Sequence, residues 1–423
     1  MANLCRLTFV VTLLALATLP TRADEPPSPQ QLVEQLAAKS YRQRERAAQQ
    51  LLNLGTAAVP FLHNGLASTN PEQRARCEEL LATLKQSPAE VELALFLYDG
   101  QIRNPKLLPG WERFAKVVGH GPNERALFAS ICPTINQFLQ AIDKHPNEAV
   151  NLFRTRCTNL QQEMFRNGGF NGQAVAVPID ELAALLFIGG DERLNLQQNA
   201  SYLFNFFYQE PVRKELLATA SGKRLFEQFL RVNAANEPNV LQQAINLCKQ
   251  LNFNDTIDKV LVPAGKDLLK RTAEGKMPAH SIQSVFTAAQ QLNLPETKEV
   301  AVKLLGNPRL DTLSKAMALG AIGRFGDKTN VKDVLPLLAD KTRLAAGSIN
   351  NVNYTTEMRD VALFALIRLT DQRFNDYQFA YLKSVPNFNP EHVYPTLCGF
   401  STDAERNAAL TRFQRWLDEN HKK

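Results

Sequence analysis

Gln43-Arg44-Glu45-Arg46-Ala47 and Gln73-Arg74-Ala75-Arg76-Cys77 share three of five residues at a spacing of thirty. Leu51 and Leu54 then fall on Leu81 and Leu84. Self-similarity at such a period, within helical apolar spacing, predicts stacked helical hairpins, because one hairpin alone cannot bury its apolar face. The stretch from Ser28 to Leu84 therefore frames the rest of the chain.

Working outward, Ser28-Pro29-Gln30-Gln31 supplies a capping Ser, a Pro for the first turn and a Gln that reaches back to the cap. Leu32, Val33 and Leu36 form the inward face of that helix. Ser40-Tyr41-Arg42-Gln43 repeats the cap, Ala47, Leu51 and Leu54 supply the next stripe, and Gly55 is the stop. Thr56 is expected to cap a third helix with Val59, Leu62 and Leu66 inward. Pro60 falls in its first turn, where no internal N–H bond is lost. Asn70-Pro71-Glu72-Gln73 opens a fourth helix, expected to end near Lys85. Connections this short make the four helices antiparallel neighbours.

The run Arg-x-Arg-Ala-Ala-x-x-Leu-Leu-x-Leu-Gly from Arg44 to Gly55, followed by Ala58-Val59-Pro60-x-Leu62, resembles a HEAT-type repeat. A second pair lies near the C-terminus. Ala318-Leu319-x-Ala321-x-x-Arg324-x-x-Asp327 recurs at Ala362-Leu363-x-Ala365-x-x-Arg368-x-x-Asp371. Ala318, Gly320, Ala321 and Gly323 are small enough for helices to approach closely, and Val331, Val334, Leu335 and Leu338 give the following helix. Between the two copies, Lys341 to Thr356 lacks helical period and reads as an insertion. This pair is similar to exported bacterial HEAT-repeat proteins of undefined function. The resemblance implies an α-α superhelix and no particular reaction.

From Glu90 to Pro295 the pattern is helical without a clean period. Helices are expected at Glu90 to Tyr98, Glu112 to Val118, Glu124 to Phe138 and Glu148 to Arg166. Others are expected at Ile179 to Ile188, Leu194 to Tyr208, Gly222 to Val232 and Asn239 to Leu251. Asn167 to Gly172 is a turn-rich break, and Ala174 to Pro178 reads as a short extended piece. Thr402-Asp403-Ala404-Glu405 caps a last helix with Ala409, Phe413, Trp416 and Leu417 at helical spacing, suited to close a repeat array. The expectation is an all-α chain, HEAT-like at 24–89 and 296–423, with an irregular helical section at 90–295.

The first 23 residues read as a secretory signal cleaved near Ala23. Arg6 is the positive n-region, Leu7 to Leu19 the apolar core, and Thr21-Arg22-Ala23 the small-residue site. That core is shorter than the roughly 20 residues a spanning helix needs. An uncleaved anchor is the alternative, and no later run is long enough to span a bilayer. Formal net charge is +6, and losing Arg6 and Arg22 lowers it to +4, a mild excess that indicates no nucleic-acid partner. The remaining Cys77, Cys132, Cys157, Cys248 and Cys398 are odd in number and widely spaced. They read as buried thiols rather than a disulfide framework, with a Cys132–Cys157 bridge as the open alternative.

Catalytic signatures are scarce. The histidines form no His-Glu-x-x-His pair, no Cys-x-x-Cys occurs, and no Gly-x-Ser-x-Gly elbow is present. Gly168, Gly169 and Gly172 lack the Lys and the strand-to-helix context of a phosphate loop. His120, a flexible side chain beside Glu124 and Arg125, is a candidate for acid–base work, and a connection between helices with an exposed ring is the favoured reading. Trp111 shares a helical face with Phe114 and Val118, which points to a core anchor. Lys39, Arg42, Arg44 and Arg46 read as a solvated ridge, because Glu45 interrupts them and no aromatic ladder accompanies them. Asn199, Asn254 and Asn353 open glycosylation sequons. No catalytic, cofactor or metal residue is assigned.

The sequence thus points to an exported, non-catalytic scaffold binding a protein partner, with Arg166 to Pro178 and Lys341 to Thr356 as the loops to inspect first. The alternative is an exported helical enzyme acting on envelope polysaccharide, which needs a deep cleft within Glu90 to Pro295 holding at least two convergent carboxylates or a His–carboxylate pair of perturbed pKa. An envelope-tethered adaptor is a third reading.

Overall fold

The computed structural model describes residues 26–166, 178–308, 310–385 and 393–420. The signal read at 1–23 and the glycine-rich break at 167–172 lie outside them, as does the expected extended piece except for Pro178. The described chain is all-α apart from one antiparallel hairpin. It divides into two compact units, Met1–Leu107 and Leu108–Lys423.

In the first unit Ser28 forms a complete capping box with Gln31 ahead of the helix Pro29–Gln35. Asn70 caps Pro71–Leu84 by accepting the N–H groups of Glu72 and Gln73. Ser40 precedes Tyr41–Leu54 without a side-chain cap bond, and Thr56 sits inside a 3₁₀ turn, Gly55–Ala58, that leads into Val59–Gly65. Gly55, where the helix ends, takes a φ of +56° and a ψ of −129°, a positive-φ conformation that costs glycine little.

The thirty-residue repeat has a physical counterpart. Arg44 Nη1 donates to the Ala38 carbonyl at 2.8 Å, and Arg74 Nη1 donates to the Ser68 carbonyl at 2.7 Å. Each arginine thus holds the carbonyl six residues earlier, where the preceding helix runs out of internal N–H partners. Ala47 and Cys77, also equivalent, are both fully buried. Leu32, Val33, Leu36, Leu51 and Leu62 complete this core. Leu54, expected inward, is 40% exposed, because the helix ends there and turns at Gly55.

The second unit carries the expected helices at Trp111–Val118, Pro122–Lys144, Pro146–Arg166, Ile179–Gly189, Ala220–Asn233 and Pro238–Gln250. The one expected over Leu194 to Tyr208 is instead a 3₁₀ turn, Gln197–Leu203, followed by a single α-turn, Phe204–Phe207. Its apolar side chains Leu203, Phe204, Phe206 and Phe207 are buried all the same. Further along, Thr312–Phe325 lies against Met358–Leu369, the two copies of the C-terminal repeat. A Cβ at Gly323 would come within 2.9 Å of Ala365 Cα, so glycine sets how closely these helices pack.

The insertion is ordered as strands β1 (Arg343–Ile349) and β2 (Val352–Glu357), paired from Ile349↔Val352 outward. Asn350 and Asn351 both have positive φ, as a tight two-residue turn requires, and asparagine tolerates this better than most residues. Thr355 exchanges both backbone bonds with Phe400, and Asn350 Nδ2 donates to the Ser384 carbonyl at 2.7 Å. Below the hairpin, Arg406 of the last helix, Asp403–Asn420, is 1% exposed. Its Nε donates to both carboxylate oxygens of the wholly buried Asp360, at 2.9 and 3.1 Å. Its Nη2 donates to the Thr355 carbonyl and hydroxyl, both at 2.9 Å. One guanidinium therefore joins hairpin, repeat helix and terminal helix.

Candidate binding cleft

Three segments of the second unit enclose a cleft of about 710 Å³. One wall is the face of Trp111–Val118 that carries Arg113, Lys116 and Val117, at i, i+3 and i+4. The opposite wall is the face of Ala220–Asn233 that carries Arg224, Glu227, Gln228 and Arg231. The end of Ile179–Gly189 and the turn Asp191-Glu192-Arg193 close the third side.

Glycine decides the approach of the last two. A Cβ at Gly189 would lie 2.9 Å from the Phe229 ring, so no larger residue fits between the helices. The carbonyls exposed at the helix end are then taken up by its neighbour. Asn233 Nδ2 donates to Gly189 at 2.7 Å, and Gln228 Nε2 donates to Gly190 at 3.2 Å. Arg224 Nη1 does the same for the Val118 carbonyl at the end of the first wall. Behind this frame Phe114 meets Phe187 edge-on with ring centroids 5.4 Å apart, and Trp111 packs on Phe128 at 5.2 Å. Trp111 is buried, the core anchor its helical face implied.

Two of the cleft's three carboxylates, Asp191 and Glu227, are engaged, and Glu192 is exposed with no hydrogen bond or ion pair among the described residues. Asp191 Oδ2 pairs with Arg113 Nη1 at 3.0 Å and with Arg193 Nη2 at 2.7 Å, while its Oδ1 accepts from Arg193 Nε at 2.9 Å. Burial pushes the Asp191 carboxyl above the usual range, and Arg113 pulls it back. Arg193 also reaches Asp143 at 2.7 Å. Glu227 accepts a 2.7 Å bond from the Thr256 hydroxyl. Among the described residues no histidine or cysteine lines the cleft. Lys116 and Arg231 are exposed on its rim.

The side chains singled out in the sequence lie elsewhere. His120 is exposed, its ring edge-on to Trp111 at 5.8 Å, while Glu124 accepts from Ser221 and Arg125 donates to the His120 carbonyl. Arg44 serves the helix end already described and pairs with Glu72 at 3.4 Å, whereas Lys39, Arg42 and Arg46 are exposed. Asn254 and Asn353 are exposed and Asn199 half-buried. All five described cysteines are free and buried. Among the described residues no group of three or more His, Cys, Asp or Glu side chains is placed to hold a metal, and no helix is long and apolar enough to cross a membrane.

No protein-family model matches the chain, and no curated protein matches it. Among solved structures, the crystal structure of an engineered protein is 17% identical, covering 84% of this chain and 81% of that one, with a TM-score of 0.21. A likeness that low carries no argument about fold or function.

Proposed function

We propose that the chain is an exported, non-catalytic scaffold of HEAT-like helical hairpins that binds a protein partner through its helical surface. The observation that carries this reading is the state of the cleft. Among the described residues its half-buried Asp191 carboxylate pairs with two arginines and no histidine or cysteine lines it, so it offers surface chemistry rather than a poised nucleophile or imidazole base. The matched roles of Arg44 and Arg74 support the repeat reading of the N-terminal unit. Export rests on the leader, and the mature chain is expected to begin at Asp24.

The enzyme reading has one observation in its favour. Asp191, Glu192 and Glu227 line a cleft inside the segment where that reading requires one, and the Asp191 carboxyl is raised. Two assays separate the readings. The first is cross-linking of the chain in its host's envelope fraction, which on the scaffold reading yields one recurrent protein partner. The second is incubation of the purified chain with envelope polysaccharide. Release of new reducing ends, lost in Asp191→Asn, would overturn the scaffold reading.

A further inference from the structure

We infer that the cleft is a receptor for an acidic peptide segment of the partner, one that places an apolar side chain beside its carboxylates; this rests on the scaffold reading above. The charge on the cleft is unevenly spent. Arg113 and Arg193 are committed to Asp191, and Arg193 also to Asp143. Lys116 and Arg231 stand exposed on opposite walls with no ion pair among the described residues. Arg224 gives one nitrogen to the Val118 carbonyl and, as a guanidinium, has further N–H donors. Three cations around one opening favour a carboxylate arriving between the walls.

Two features choose a peptide over a phosphate chain or a sulfated glycan. The cleft's floor is apolar, a part-exposed Val117 with the edges of the largely buried Phe187 and Leu225 behind it, which a purely polar polyanion leaves unused. Glu192 and Glu227 also interrupt the cationic lining, which repels a continuous run of negative charge and admits isolated carboxylates. A volume of about 710 Å³ matches a few side chains, since sites for small ligands span roughly 300–1,000 Å³.

The test is selection of random linear peptides on the full chain, followed by affinity measurement on the Lys116→Glu/Arg231→Glu variant. A variant with the same charge change outside the cleft, Lys332→Glu/Lys341→Glu, is the control. The expected result is enrichment of peptides that join Asp or Glu to Leu, Ile or Phe. Their affinity should drop roughly tenfold on cleft reversal and little in the control, and added salt should weaken binding to the unaltered chain and narrow that difference. Should reversal disturb the helical circular dichroism, Lys116→Gln/Arg231→Gln replaces it, with a smaller drop expected. Peptides lacking acidic residues, or binding indifferent to reversal, would overturn the cleft assignment and leave the scaffold reading standing. Polyphosphate or a sulfated glycan bound in a reversal-sensitive way, with no peptide enriched, would overturn it in favour of a polyanion site. Absence of both peptide and partner would remove the two readings together.

Discussion

Replacing Arg406 with alanine should loosen the end of the second unit by about 3–5 kcal/mol, the usual cost of stripping one member from a buried ion pair. The magnitude follows from what is left behind. Asp360 is wholly buried and loses two charge-assisted bonds, and the Thr355 hydroxyl loses its arginine donor. The Thr355 carbonyl keeps the Phe400 N–H at 3.1 Å, so the backbone itself is not orphaned. Because the chain has two compact units, a single unfolding free energy is poorly defined. Hydrogen exchange of peptides covering Arg343–Leu369 and Asp403–Asn420 reads the local value instead. The double variant Asp360→Asn/Arg406→Met removes both charges while an amide oxygen still accepts the Glu357 N–H, which Asp360 now binds at 2.8 Å. It should recover at least half of the loss, since paired removal of buried charges is often close to neutral. A change below about 1 kcal/mol in Arg406→Ala, or a double variant as loose as the single one, would refute the view that this guanidinium ties the three elements together.

Burial pushes the Asp360 carboxyl up to about 6, against the pull of Arg406. A carboxyl raised above its unfolded value near about 4 contributes stability that is fully present below that value and lost as pH rises through about 6. Exchange protection of Met358–Leu369 should therefore include a downward step between pH 4 and 6 that Asp360→Asn abolishes. Gly323→Ala forces a Cβ to within 2.9 Å of Ala365 Cα and should cost about 1–3 kcal/mol, read as faster hydrogen exchange in Thr312–Phe325 and Met358–Leu369. Burial pushes the thiols of Cys157 and Cys248 up to about 12 and that of Cys77 to about 11, so all five buried cysteines should resist a disulfide-forming thiol reagent at pH 8 and react once urea unfolds the chain.

Local signals carried much of the helical architecture. Ser28 and Asn70 cap the helices their sequences announced, because capping needs only groups within three residues of each other. Ser40 shows the limit: its pattern fits a capping box, yet its side chain makes no cap bond, while Arg44 satisfies the end of the preceding helix from the other side. The hairpin at 343–357 was legible only as an absence of helical period. Its signal was Asn350-Asn351 between two short runs, a turn that needs positive φ at both residues. Likewise, the aromatic run at 203–207 marked burial correctly while the backbone took tighter turns, since burial of Phe206 and Phe207 depends on where the side chains point more than on α-helical continuity.

The cleft was beyond reach for a different reason. Arg113, Asp191 and Arg231 come from three segments, and no pattern within any one of them records that they meet. What the sequence did hold was the means of bringing them together. Gly189 and Gly190 end a helix whose last carbonyls accept from Asn233 and Gln228, and the same neighbouring helix carries Arg224 and Arg231 on the adjoining face. A paired glycine after an apolar helix therefore marks two things at once: where the chain turns, and where another helix approaches closely enough to bring its polar side chains to the exposed carbonyls. In this chain that approach also places the wall carrying Arg224 and Arg231 against the third side of the cleft. A bulky residue at Gly189 should thus push the helix carrying Arg224 and Arg231 off the turn at Asp191 without touching any of the charges, and weaken binding of an acidic peptide, measured as affinity, through geometry alone.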